Sequence, residues 1–196
     1  MNHQRRPNRV SQETGGQRRA GKGNLMDDTT APITPEEWRE FLERYSAQVL
    51  TSEELAEHHL ADLDSVAEVS ASEQVVAALE ERIGTALPPS YRNFLLATDG
   101  YENPAKLSIM LPAEQVDWAR VVMPDLIEAW EDFDEEVAML ERCLLIGDNC
   151  ANSYFFLDPT VVEGGEWAAI DWFYKPSEPV SHPSFGIFVV TTLLAS

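Results

Sequence analysis

Basic residues are scarce in this chain of 196 residues. Fourteen Lys and Arg face thirty-four Asp and Glu, for a formal net charge of −20 at pH 7. Six of the fourteen (Arg5, Arg6, Arg9, Arg18, Arg19 and Lys22) fall within residues 1–24, beside one acid, Glu13. That segment therefore carries +5, and the remainder −25. A body this acidic repels nucleic acid and anionic membrane through its overall field, and neither is expected as a partner. It favours encounter with a basic protein, an attraction that salt weakens.

Cysteine is also rare. Cys143 and Cys150 are too few for a disulfide framework, and they have no nearby histidine for a zinc site. Free thiols in a reducing cytoplasm are expected. No apolar run approaches the roughly 18–20 residues needed to span a bilayer. The N-terminus has arginines but not the apolar stretch of a secretory signal.

Signatures of bond-making chemistry are missing too. There is no Gly-x-Ser-x-Gly elbow, no Gly-Lys-Ser/Thr follows Gly164-Gly165, and His182 has no identifiable triad. His58-His59 lies among Glu53, Glu54, Glu57 and Asp62, with Glu54 and His58 four residues apart. A solvated helix face is the plainer reading than a shared metal. Carboxylate pairs such as Asp132 with Asp134 abound, and chance supplies them in so acidic a chain. We expect no metal, no cofactor and no enzymatic activity.

What is present is patterning. Residues 1–26 are poor in apolar groups and are read as a disordered, dispensable basic extension, with Met26 as an alternative first residue. Residues 27–71 form an N-terminal helical extension. Thr34-Pro35-Glu36-Glu37 starts its main helix, and Trp38, Phe41, Leu42, Tyr45 and Val49 recur on one face. Thr51-Ser52-Glu53-Glu54 caps a shorter helix to Leu60, and residues 61–70 read as a loop. Ser72 opens a third helix, with Val75, Val76, Leu79 and Ile83 on one side and Gly84 as its stop. Pro88 and Pro89 restart a fourth, with Tyr91, Phe94, Leu95 and Thr98 on one face. Asp99-Gly100 ends it.

Strand patterns follow. Residues 106–111 and 116–118 read as short strands, and residues 124–141 as helix or acidic loop with Trp130, Phe133, Val137 and Leu140 buried. Residues 143–146 read as a strand buried on both sides, and Gly147-Asp148-Asn149 as a turn. Residues 153–157 form a strand ending at Asp158-Pro159. Glu163-Gly164-Gly165 is a hairpin turn, and residues 166–174 form a central strand. Residues 184–194 close the chain as a helix. The fold class expected is α+β: N-terminal helices packed against a mainly antiparallel twisted sheet of about four to six strands, with a C-terminal helix.

The order of these pieces resembles the SUKH superfamily, the Smi/Knr-like cell-wall regulator and bacterial immunity domains. The resemblance rests on Leu79, Glu80, Gly84, Leu87-Pro88, Tyr91, Phe94, Leu95, Asp99 and Gly100. It continues through GDNCANSYFFLDP at residues 147–159, with Leu157 and Asp158, the tryptophan strand from Trp167, and Ser184-Phe185. It covers residues 72–194, so residues 72–196 are taken as the SUKH-like domain. The terminal FGIFVVTTLLAS is more apolar than in many relatives, and residues 67–71 lack a tryptophan that relatives often carry. The resemblance implies a cytoplasmic protein that binds another protein: an immunity protein occluding the cleft of a toxin, or a regulatory scaffold.

One stretch stands out as a candidate contact surface. No basic residue occurs between Val121 and Glu141, while Glu128, Glu131, Asp132, Asp134, Glu135 and Glu136 surround Trp130 and Phe133. With Asp148, this surface can imitate a phosphate backbone toward a basic toxin domain. The alternative is a solvated acidic helix whose aromatics face the core.

Overall fold

The computed structural model describes residues 31–49, 70–103, 108–151, 153–173 and 178–193. The basic extension, the helix expected to reach Leu60, the loop after it, the His58-His59 group and Tyr174 lie outside the described residues.

Local signals set the helix ends. Helix α1 (Pro35–Val49) begins with a reciprocal cap: Thr34 Oγ1 accepts from the Glu37 amide, while Glu37 Oε2 accepts from the amides of Ile33 and Thr34. Helix α2 (Glu73–Ile83) is capped by Ser72 and ends at Gly84, whose φ of 76° is open mainly to glycine. Helix α3 (Pro89–Ala97) follows Pro88, which has no side-chain acceptor to offer. The carboxylate of Glu166, from a distant strand, supplies it by accepting from the Ser90 amide at 2.9 Å and hydroxyl at 2.6 Å.

The strands form one antiparallel sheet of seven: β1 (Tyr101–Asn103), β2 (Ser108–Met110), β3 (Asp117–Trp118), β4 (Leu144–Asp148), β5 (Ser153–Glu163), β6 (Glu166–Phe173) and β7 (Val180–His182). The order is β1-β2-β4-β5-β6-β7, with β3 also paired to β4. Gly164 and Gly165 turn the β5–β6 hairpin with φ of 61° and 88°.

Helices cover both faces of the sheet. On one face α1, α2, α3 and the C-terminal α7 (Phe185–Phe188) bury Trp38, Leu79, Tyr91, Phe94, Phe185 and Phe188 against Leu144, Phe155, Leu157 and Trp167. Trp38 contacts Phe94 and Phe185 at 5.3 and 5.6 Å between ring centroids. It also donates from Nε1 to the Ser90 carbonyl, so α1 shares the main core. The apolar C-terminus is explained the same way, since Phe185, Phe188 and Val189 insert into that core. After α7 the chain continues as a π-helix, Val189–Leu193. On the opposite face lie α4 (Ala119–Val122), α5 (Pro124–Ala129) and α6 (Asp134–Arg142), over Phe156, Ile170 and Trp172.

Several boundaries differ from the sequence reading. Gly147 lies inside β4, where the register shifts between Leu145 and Gly147, and a Cβ there would collide with the Ile109 carbonyl oxygen. The turn falls after Asp148. Strand β5 runs through Pro159, because the register shift between Asp158 and Val162 leaves proline without a ladder bond to donate. Phe133 is 45% exposed rather than buried, and Val137 is half-buried. Strands β1 and β7 are additional.

Candidate functional site

The acidic stretch folds as α5, a tight turn at residues 130–133, and α6. Glu128, Glu131, Asp132, Asp134 and Glu135 are exposed, and Glu136 is half-buried. None of the six forms an ion pair with a described residue. The two arginines that border the run point elsewhere. Arg120 lies over the Trp118 ring at 4.9 Å and donates to the Glu141 carbonyl. Arg142 donates through Nε and Nη2 to Asp158 Oδ2, at 3.0 and 2.9 Å. Among the described residues, no cation offsets this face.

Trp130 is 7% exposed and supports this surface from beneath. Its ring meets Trp172 at 5.0 Å and Phe133 at 4.9 Å. Among the predicted contact residues it is a foundation, whereas Phe133, expected in the core, stands at the surface. Asp158 is the second anchor. It is 1% exposed, and its other oxygen accepts from the Thr160 amide and hydroxyl. Burial pushes its carboxyl up, but the Arg142 and Thr160 hydrogen bonds outweigh it and hold the carboxyl below the usual range. Asp158 thus clamps the C-terminal end of α6 to β5.

The remaining motif residues are structural in position. Leu87, Pro88, Tyr91, Phe94, Leu95, Leu157 and Phe185 are buried, and Gly84 ends α2. Gly100 has φ of 89°, and a Cβ there would sit 2.9 Å from the Pro112 nitrogen. Glu80 accepts from the Leu87 amide at 3.0 Å and lies 3.4 Å from the Arg92 guanidinium, fixing the turn between α2 and α3.

Asp148 stands apart from the acidic turn, two strands away from Trp172 in the sheet. It pairs with Tyr154, Tyr154 pairs with Trp172, and the last two rings stack at 6.0 Å. Sequence reasoning missed Tyr154, Ile109 and Glu102, which occupy the same cross-strand row. Only the β4 bulge reveals that register. Among the described residues no group of three or more His, Cys, Asp and Glu is arranged to hold a metal. No helix among them is long and apolar enough to cross a membrane.

An α+β domain results whose shaping residues are buried and whose open face is acidic. A model of the SMI1 / KNR4 family (SUKH-1) matches residues 70–190. The chain belongs to that family, a member of the SUKH superfamily. No curated relative matches it. The match takes in α2 through α7 and the acidic turn; α1 lies before it.

Proposed function

We propose that this protein works by binding a basic protein partner through the surface formed by α5, the 130–133 turn and α6. The observation that carries this reading is the run of carboxylates from Glu128 to Glu136, without an ion-pair partner among the described residues, held on a buried Trp130–Trp172 foundation. Charges of one sign on a rigid support steer a cationic partner and select against anionic ones. The resemblance to bacterial immunity domains favours a toxin domain as the partner, with stoichiometric occlusion of its active cleft as the mechanism. The site of action is the cytoplasm, and no bond is made or broken. Co-expression with a basic toxin encoded beside this chain tests the reading. The native chain should protect the host, and a Glu128→Lys, Glu131→Lys, Asp132→Lys variant that still folds should not. Protection by that variant, or none by the native chain, counts against the proposal.

A second reading rests on the SMI1 / KNR4 family match itself. As a regulatory scaffold, the same surface would serve several cellular partners. Recovery of several unrelated partners and no toxin separates it from the first.

A further inference from the structure

The helical layer of α4, α5 and α6 stops short of one edge of the sheet. Register places Glu102, Ile109, Asp148, Tyr154 and Trp172 in a single cross-strand row on that face. Trp172 lies beneath Trp130 and is fully buried. Tyr154, Asp148 and Ile109 are half-buried, and Glu102 is exposed. Ile109 is not among the apolar side chains packed on the core beneath that layer. The row therefore runs from Trp172, beneath the acidic turn, to the β1 edge of the sheet, and its outer four members alternate carboxylate with apolar or aromatic side chains. A depression of about 250 Å³, lined by Asp148, Cys150, Ala151, Ser153 and Tyr154, lies along it.

We propose that this row, Glu102–Ile109–Asp148–Tyr154, seats an arginine-bearing segment of the basic partner, with one guanidinium in the depression. The proposal rests on the function proposed above and deepens it. Charge complementarity names the occupant. A guanidinium is planar, pairs with carboxylate and stacks on aromatic faces, so Asp148 and Tyr154 together suit it better than a lysine ammonium. Ile109 takes the aliphatic stem. The neighbouring thiol registers the local field: after partial desolvation, Asp148 and Glu102 are what push the Cys150 thiol up. Asp148 Oδ1 accepts from the Cys150 amide at 2.6 Å, which fixes the wall of the depression.

Cys150 also provides the test. It is exposed and Cys143 is buried, so a neutral alkylating reagent such as N-ethylmaleimide reads the depression in the folded chain. The probe is an end-blocked peptide of alternating Arg and Gly. Three full-length proteins are titrated: native, Glu102→Gln with Asp148→Asn, and Glu131→Gln with Asp132→Asn. Each alkylation rate is compared with that protein's own rate without peptide, and thermal unfolding checks folding. The native chain should bind and slow alkylation of Cys150. The row variant should bind about ten-fold more weakly and lose that protection. The turn variant should weaken binding but keep protection at saturation. A row variant that binds and protects like native overturns the row alone. A native chain that binds no peptide overturns the row and the basic-partner reading together. If deletion of residues 1–24 speeds Cys150 alkylation in the free protein, the chain's own basic segment is the occupant and the partner assignment fails. Weaker protection by an otherwise identical alternating Lys-Gly peptide supports the guanidinium seat; equal protection contradicts it.

Discussion

Tyr91 carries a hydroxyl into the centre of the larger core, where it has no hydrogen-bond partner among the described residues. Its ring packs on Phe185 at 4.9 Å, so the motif needs the aromatic surface and not the oxygen. Tyr91→Phe should stabilise the fold by about 1 kcal/mol in a denaturant titration, because an unsatisfied buried hydroxyl is removed. Tyr91→Ala should cost roughly 3–5 kcal/mol. A destabilising Tyr91→Phe would mean that the hydroxyl is satisfied. The two thiols diverge for a similar reason. Burial pushes the Cys143 thiol up to about 12, whereas Cys150 is exposed. Mass spectrometry after alkylation of the folded protein should find one adduct, on Cys150, and a second only on unfolding.

The α6 helix depends on two anchors of opposite kind, the Trp130–Trp172 contact and the Arg142–Asp158 pair. Because the Asp158 carboxyl is held below its ordinary range, the pair's stabilisation is present above the unfolded carboxyl pKa near ~4. It is lost as pH falls through the folded value. Asp158→Ala should cost about 3 kcal/mol at neutral pH and flatten the acidic limb of the stability profile. An unchanged acidic limb would mean the pair contributes nothing. Glu128 and Glu131 pose the opposite case. They lie at the C-terminal end of α5, where negative charge is unfavourable, and no described cation compensates them. Glu128→Lys with Glu131→Lys should raise stability by up to about 1 kcal/mol while weakening partner binding.

Elements whose ends are set by neighbouring residues were legible in the sequence. Ser72, Gly84 and Gly164-Gly165 act within a turn of themselves, and the structure uses each as read, while Pro88 stands extended just outside the first turn of α3. Long-range features were not. The cap on α3 comes from Glu166, 76 residues beyond Ser90, and no local pattern encodes it. Strands β1 and β7 have three residues each, too short for alternation to register. Pro159 looked like a strand end because only the Asp158–Val162 register shift tolerates it. Likewise Glu102, Ile109 and Tyr154 become neighbours only through strand pairing. The acidic turn was visible as composition, but which of its aromatics faced outward depended on the Trp172 contact.

For the whole molecule, charge is the dominant variable. A net charge of −20 sets up self-repulsion that salt relieves, so the thermal midpoint should rise with added sodium chloride. Binding should respond in the opposite sense, weakening as the same screening removes the attraction. Capture on immobilised native chain and on the Glu128→Lys, Glu131→Lys, Asp132→Lys variant tests this most directly, with loading at low salt and elution at high salt. The account predicts a basic protein retained by the native chain, released by salt and absent from the variant. The same protein held equally by both, or retention unaffected by salt, would contradict it.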